Sequence, residues 1–140
     1  MKGLSILILL LFSLSCFSQV KEEKVRFGIS CGYSGSETEV VIKFAILLSE
    51  QKYKSIRGFL FSKIPAENFI AVVICKRLAH KKIIDLTKVE LNRIAELYQS
   101  KEKVPVCGGC TYSEEIELTK LLNSKKDMYY AIDYYFHDEK

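Results

Sequence analysis

The chain has 140 residues, with 21 basic and 17 acidic side chains and a formal net charge of +4. This length suits a single domain, and a composition with 49% hydrophobic residues, two Pro and seven Gly excludes an intrinsically disordered chain. So small a positive charge does not point to a nucleic-acid partner, and we expect none. With only two His, acid–base catalysis would depend on carboxylates, and the sequence marks none of them as buried.

The first 18 residues, MKGLSILILLLFSLSCFS, have the three-part pattern of a secretory signal peptide. Lys2 is followed by the apolar block Leu4–Phe12 and then by small residues. The block is shorter than the roughly 20 residues that a membrane span requires. We therefore predict that residues 1–18 are removed on export. Residues 19–140 then form a periplasmic or secreted chain without a membrane span.

Cys16 offers an alternative to cleavage after Ser18. These two residues fill the small-residue positions that precede a signal-peptide cut. A bacterial lipoprotein would instead carry a lipid on Cys16, but Ser13 stands where such signals usually have Leu. Cleavage is the main prediction, and a lipid anchor through Cys16 or a retained apolar anchor are the alternatives.

Residues 19–35 form an N-terminal segment that we expect to be extended. Apolar and non-apolar residues alternate over residues 25–31, as in a short strand. The apolar positions of this alternation are Val25, Phe27 and Ile29. A glycine-rich stretch then ends the extended segment, and Cys31 lies at this break.

Ser36–Tyr53 is predicted to be an amphipathic helix. Ser36 and Glu39 have the spacing of a capping box at its start. Its main apolar face consists of Val40, Val41, Phe44, Leu47 and Leu48. Ile42 and Ile46 lie off that face, so we expect this helix to be covered on two sides.

Tyr53–Ile64 fits a short helix, because Tyr53, Ile56 and Leu60 have helical spacing. Gly58 opposes this reading, since glycine inside a helix costs about 1 kcal/mol relative to alanine. The alternative is a buried strand over residues 55–62. We favour the helix because the neighbouring segments on both sides are helical in pattern.

Pro65–Ala79, PAENFIAVVICKRLA, is the most apolar stretch outside the N-terminus. Pro65 suits the first helical position, and Glu67 in the first turn suits the helix dipole. Basic residues crowd the far end, where the same dipole favours them. We predict a helix that the rest of the chain surrounds, because a run this apolar belongs in a core.

Residues Tyr53–His80, with SIRGFLFSKIPAENFIAVVICKRLA at their centre, resemble one unit of a HEAT-type helical repeat. Such a unit consists of two antiparallel helices with a Pro near the start of the second. The resemblance implies stacked helices and a binding surface, and it implies no activity. No strict second copy is present, so a full solenoid is not expected.

Two more helices are predicted after His80. Thr87 and Glu90 have the spacing of a capping box before the helix Lys88–Gln99. Its apolar face is predicted to contain Leu91, Ile94, Ala95 and Tyr98. Near the C-terminus, Asp127–Phe136 fits a helix, although a strand is an alternative.

The motif VPVCGGC, Val104–Cys110, is the most chemically suggestive part of the chain. Pro105 keeps the chain extended, and the two glycines permit a sharp turn. Thr111 and Glu114 have capping-box spacing, so we predict a helix there with an apolar face of leucines. Cys110 would then lie just outside a helix N-terminus, which favours its thiolate.

These elements predict an all-α fold in which residues 36–140 form a single domain of small, stacked, HEAT-like helical hairpins. The signal peptide and the extended segment 19–35 precede it. The alternative is an α/β or α+β fold with strands near residues 25–31 and 55–62.

Four cysteines remain once Cys16 has left with the signal peptide. Cys75 lies in the apolar stretch and is expected to be a buried thiol. Disulfide candidates are therefore Cys31, Cys107 and Cys110. Cys31 can pair with either of the other two, or Cys107 and Cys110 can form a local redox pair. A metal site is a further alternative, although the sequence lacks a second paired motif and we predict none.

A strand, then Cys-x-x-Cys, then a helix is similar to the thioredoxin layout, which implies thiol–disulfide chemistry at Cys107 and Cys110. The sequence departs from that family, because no Pro follows the motif and Val106 stands where an aromatic residue is usual. There is also no phosphate-binding glycine loop, Ser-His-Asp arrangement or helix-borne His pair.

We therefore expect an exported, non-catalytic protein-interaction or structural domain without a cofactor, whose partner is another protein of the cell envelope or exterior. The alternative is a thiol–disulfide redox protein using Cys107 and Cys110.

Overall fold

The computed structural model describes residues 24–124 and Phe136. Within them the chain forms five α-helices, one 3₁₀ turn and a two-stranded antiparallel sheet. The helices are α1 (Glu39–Ser49), α2 (Tyr53–Gly58), α3 (Pro65–His80), α4 (Lys88–Leu97) and α5 (Leu118–Asn123), and the strands are β1 (Lys103–Gly108) and β2 (Tyr112–Glu117). The 3₁₀ turn Phe59–Phe61 follows α2 directly.

Three predictions concern residues outside the described part of the chain. They are the signal peptide at residues 1–18, the lipid attachment at Cys16, and the helix or strand at Asp127–Phe136, of which the structure describes Phe136 alone.

Helix α3 forms the centre of the core, which confirms the prediction for this stretch. Every residue from Ala66 to Cys75 is buried, as is Leu78. A helix that is apolar on all sides must be surrounded, and α3 packs against α1, α2, the 3₁₀ turn, β1 and α5. Pro65 occupies the start of the helix, as its missing N–H requires.

The predicted all-α class is wrong, because residues 103–117 form a β-hairpin. Val104 pairs with Ile116 and Cys107 with Ser113 in an antiparallel register. Val104 and Val106 point into the core in alternation, the pattern of a strand with one buried face. The fold is mixed, in agreement with the α+β alternative, although the paired strands lie elsewhere than that alternative placed them.

Residues 55–62 are helical rather than a strand, since α2 and the 3₁₀ turn cover most of them. Residues 25–31 are extended and contribute isolated bridges to the sheet, not a full strand. The helix predicted from Glu114 is also wrong. This stretch belongs to β2, and α5 begins only at Leu118. The resemblance of Tyr53–His80 to a HEAT unit stays a prediction.

Helix α1 begins at Glu39, and the predicted Ser36 capping box is absent. Ser36 instead exchanges two backbone hydrogen bonds with Cys31, which holds it outside the helix. The hydroxyl of Thr38, the residue before the helix, accepts from the Gly28 N–H and donates to its carbonyl. Ser36 and Thr38 therefore bond to the N-terminal segment instead of capping α1.

The prediction that α1 is covered on two sides is also wrong. Val40, Val41 and Phe44 are buried. In contrast, the side chains of Ile42 and Ile46 are 43% and 51% exposed. One face of α1 therefore packs on the core, while the described residues leave a second apolar face uncovered.

Helix α4 has the predicted capping box, in which Thr87 and Glu90 bond each other's backbone N–H. Ile94 and Leu97 are buried, whereas Leu91, predicted for the same face, is exposed. The guanidinium of Arg57 on α2 donates two hydrogen bonds of 2.7 and 2.8 Å to the Glu90 carboxylate. This pair fixes α4 against α2.

Candidate disulfide and thiol site

Cys31 and Cys107 are joined by a disulfide that links residues 76 positions apart, with their Cα atoms 5.5 Å apart. This is one of the pairings that the sequence left open. Cys107 lies in β1, and Cys31 lies at the end of the extended segment that runs beside β1. The bond therefore ties the start of the described chain to the hairpin.

Backbone hydrogen bonds hold the same two segments together on both sides of the disulfide. Phe27 donates its N–H to the Pro105 carbonyl at 2.8 Å, and Cys107 donates to the Phe27 carbonyl at 2.9 Å. Pro105 has no N–H and therefore cannot donate a further hydrogen bond from β1 to the N-terminal segment. Beyond the disulfide, Gly109 donates to the Ser30 carbonyl at 2.7 Å and accepts from Gly32.

Gly28 is required by this close approach. A Cβ atom built on Gly28 would overlap the Cys31 sulfur and the backbone carbonyl of Cys107. The Cys107 sulfur would lie 2.8 Å from the same atom. Only a residue without a side chain fits between the two half-cystines.

Phe27 anchors the N-terminal segment to the helical core. Its side chain is 1% exposed, and its ring meets the edge of Phe69 on α3 with centroids 5.2 Å apart. The disulfide therefore lies between a buried aromatic contact and the turn of the hairpin. Neither the role of Gly28 nor the Phe27–Phe69 contact was predicted from the sequence. The alternation of apolar residues around Phe27 was the signal that its side chain could face the core.

Cys110 is a free, exposed thiol in the turn between β1 and β2. Gly109 beside it has φ of +57°, a left-handed conformation that favours glycine. Because β2 follows this turn, the predicted position of Cys110 at a helix N-terminus is wrong. Cys107 bonds to Cys31 in this structure, so the Cys107–Cys110 redox pair stays a hypothesis.

Cys75 is the second free cysteine among the described residues, and it is fully buried. Burial raises the pKa of its thiol to about 12, because the thiolate would lose its hydration inside α3. A thiol with this pKa is a poor nucleophile at neutral pH. Cys75 therefore acts as a small apolar side chain of the core, as the sequence had indicated.

Among the described residues, no cluster of three or more His, Cys, Asp or Glu side chains could hold a metal ion. The basic residues at the end of α3 include Lys76, which has a partner within the chain. Its amino group donates to the Tyr98 hydroxyl at 2.7 Å and lies over that ring.

No known protein family, curated protein or solved structure matches this chain. Among the described residues, the Cys31–Cys107 disulfide and the free thiol of Cys110 are the groups capable of thiol–disulfide chemistry at the hairpin.

Proposed function

We propose that this chain is an exported, non-catalytic domain that binds another protein of the cell envelope or exterior or has a structural role there. The observation that supports this most directly is the Cys31–Cys107 disulfide. Disulfides of this kind persist in oxidising compartments and are rare in the cytosol. None of the described helices has the length and apolar character that crossing a membrane requires.

Two ionisable side chains with shifted pKa values fit structural rather than catalytic roles. General acids, bases and nucleophiles need a pKa near the working pH. The hydrogen bonds from Arg57 lower the pKa of Glu90 to about 2, and burial raises that of Cys75 to about 12. Both residues are thus held in one protonation state at neutral pH, which suits structural side chains.

An insulin-reduction assay on the chain comprising residues 19–140 tests this proposal. We expect the chain not to accelerate insulin reduction beyond the rate with dithiothreitol alone. In a glutathione buffer, we expect the Cys31–Cys107 bond to stay oxidised. Cys110→Ser is the matched control and should behave like the unchanged chain. Insulin reduction that disappears in Cys110→Ser would contradict the non-catalytic assignment.

Mass analysis of the exported protein should show Gln19 as its first residue.

The second candidate function is thiol–disulfide exchange, which the free Cys110 favours, because it lies three residues after Cys107 in the turn that follows β1. In the exchange step, the Cys110 thiolate attacks the Cys107 sulfur and a Cys107–Cys110 bond forms. The Cys31–Cys107 bond breaks, and Cys31 leaves as a thiolate. No external oxidant is needed, because one disulfide is exchanged for another. The insulin assay separates this function from the first.

A further inference from the structure

A cavity of about 420 Å³ lies at the place where helices α1 and α3 both end. Its apolar wall consists of Leu48, Ile74, Leu78, Ile83 and Phe136. The volume lies within the range of roughly 300–1,000 Å³ that is usual for pockets holding small molecules. The cavity is therefore large enough to hold the apolar part of a small ligand.

Two bases line the same cavity beside this apolar wall. Arg77 is half-buried in the last turn of α3, and Lys81 directly follows the helix and is exposed. Lys81 has no ion pair among the described residues. The described part of the cavity wall contains no Asp or Glu side chain. An anionic group at this position would therefore meet attraction from the bases without repulsion from an acid in that wall.

The helix dipole offers another explanation for these bases, since it favours cations at a helix C-terminus. However, the backbone itself satisfies the end of α3. The carbonyls of Arg77, Leu78 and Ala79 each accept a backbone N–H from residues 81–83, at 2.9 to 3.0 Å. The amino group of Lys81 is therefore not needed to complete the helix, and it can bind a ligand instead.

We propose that this cavity binds a small anionic amphiphile, meaning a carboxylate or phosphate group attached to a single apolar chain. The chain lies against the apolar wall, and the anionic group binds Lys81 and Arg77. Hydrogen bonds from such bases to carboxylate or phosphate oxygens are roughly twice as strong as hydrogen bonds between neutral groups. Gln51 and Tyr53 also line the cavity and add uncharged polar groups to it. The site goes beyond the proposed function, which it neither requires nor replaces.

Isothermal titration calorimetry of residues 19–140 with decanoate, kept below its micelle concentration, tests the site. We expect one decanoate to bind per chain. Decyltrimethylammonium has the same apolar chain with the opposite charge, and acetate has the same charge without the chain. Each of these two should bind at least tenfold more weakly, because the cavity selects for both parts of the ligand.

Lys81→Gln removes a base from the cavity and should weaken decanoate binding by about tenfold. Lys82→Gln is the matched control, because Lys82 is the next residue, is also exposed, and does not line the cavity. It should leave the affinity unchanged. Ile83→Asp places an acid at an apolar wall position that is 48% exposed, and it should abolish binding. Circular dichroism should show that every variant is folded.

Flotation with lipid vesicles separates two sources of this ligand chemistry, a membrane phospholipid and a free amphiphile. Binding to phosphatidylglycerol vesicles but not to phosphatidylcholine vesicles, weakened in Lys81→Gln, would support the site with a membrane phospholipid as the source. Decanoate binding without vesicle binding would support the site with a free amphiphile as the source.

The site would be overturned if neither decanoate nor the phosphatidylglycerol vesicles bind, or if decyltrimethylammonium binds as tightly as decanoate. Equal losses of decanoate binding in Lys81→Gln and Lys82→Gln would also overturn it, because the basic surface as a whole would then attract the anion. The proposed function would stand in each case, since it fails on insulin reduction and not on ligand binding.

Discussion

Helix α3 buries 11 of its 16 residues, whereas 4 of the 6 residues of β2 are exposed. The helix is held mainly by apolar contacts with the elements around it, and its buried Glu67 and Asn68 are hydrogen-bonded. The hairpin is held by one buried face, by the backbone pairing of β1 with the N-terminal segment, and by the Cys31–Cys107 bond. Packing therefore suffices for α3, which other elements surround, whereas the partly exposed hairpin is also held by a covalent bond. Three variants test this difference and a fourth tests an ion pair outside both regions, in order from the largest expected effect to the smallest.

Phe69→Ala removes the ring that connects the two regions, at the point where α3 meets Phe27. Because Phe69 is fully buried, we expect the free energy of unfolding to fall by about 4 kcal/mol. Urea denaturation measures the change. Phe61→Ala is the control, because Phe61 is 50% exposed and should cost much less. Equal losses in the two variants would contradict the assignment of Phe69 to the core.

Cys31→Ser/Cys107→Ser removes the covalent tie. Disulfides typically contribute about 3 kcal/mol, so the unfolding free energy should fall by about that amount. Hydrogen exchange should speed up first at the amides of Phe27 and Cys107, while α3 stays protected. Cys110→Ser should change neither quantity. Uniform loss of protection in α3 and the hairpin would argue against a local role for the bond.

Gly28→Ala tests the close approach of backbone and disulfide. The added methyl group would overlap the Cys31 sulfur, and we expect a loss of about 2 kcal/mol. Gly58→Ala provides a control of opposite sign. Gly58 has a helical φ of −59° and open space around it, so it should gain about 0.5 kcal/mol. A neutral Gly28→Ala would contradict the described contact.

Glu90→Gln weakens the pair with Arg57 and should cost about 1.5 kcal/mol at neutral pH. The hydrogen bonds from Arg57 lower the pKa of Glu90 to about 2, from an ordinary value of 4.5. A lowered pKa stabilises the folded state above pH 4.5, and this stabilisation is lost as the pH falls toward 2. The stability of the variant should therefore depend less on pH across that window. Glu96→Gln, which changes an exposed partner of Arg93, should have little effect.

Local signals in the sequence were sufficient to predict helix α3 and the start of helix α4. Helix α3 could be predicted because its apolar character, Pro65 and Glu67 agree. The start of α4 could be predicted because Thr87 and Glu90, the two members of its capping box, lie three residues apart. Each of these signals acts within a few residues, so no knowledge of the rest of the fold was needed.

The hairpin could not be predicted in the same way. Thr111 and Glu114 imitate a capping box, while the preference for β2 comes from pairing with β1 and is not local. The disulfide depends on two residues 76 positions apart, and sequence spacing alone leaves three pairings open. The exposure of Ile42 and Ile46 was missed for a related reason, since apolar character does not reveal whether a second layer exists.

Peptide mapping of the unreduced protein by mass spectrometry tests the central claim most directly. Residues 19–140 are unfolded in the presence of an alkylating reagent, digested, and searched for linked and alkylated cysteines. The expected result is one linked pair, Cys31 with Cys107, and alkyl groups on Cys75 and Cys110. A linked Cys107–Cys110 peptide with alkylated Cys31 would contradict the account, because the hairpin would then lack its tie to the N-terminal segment.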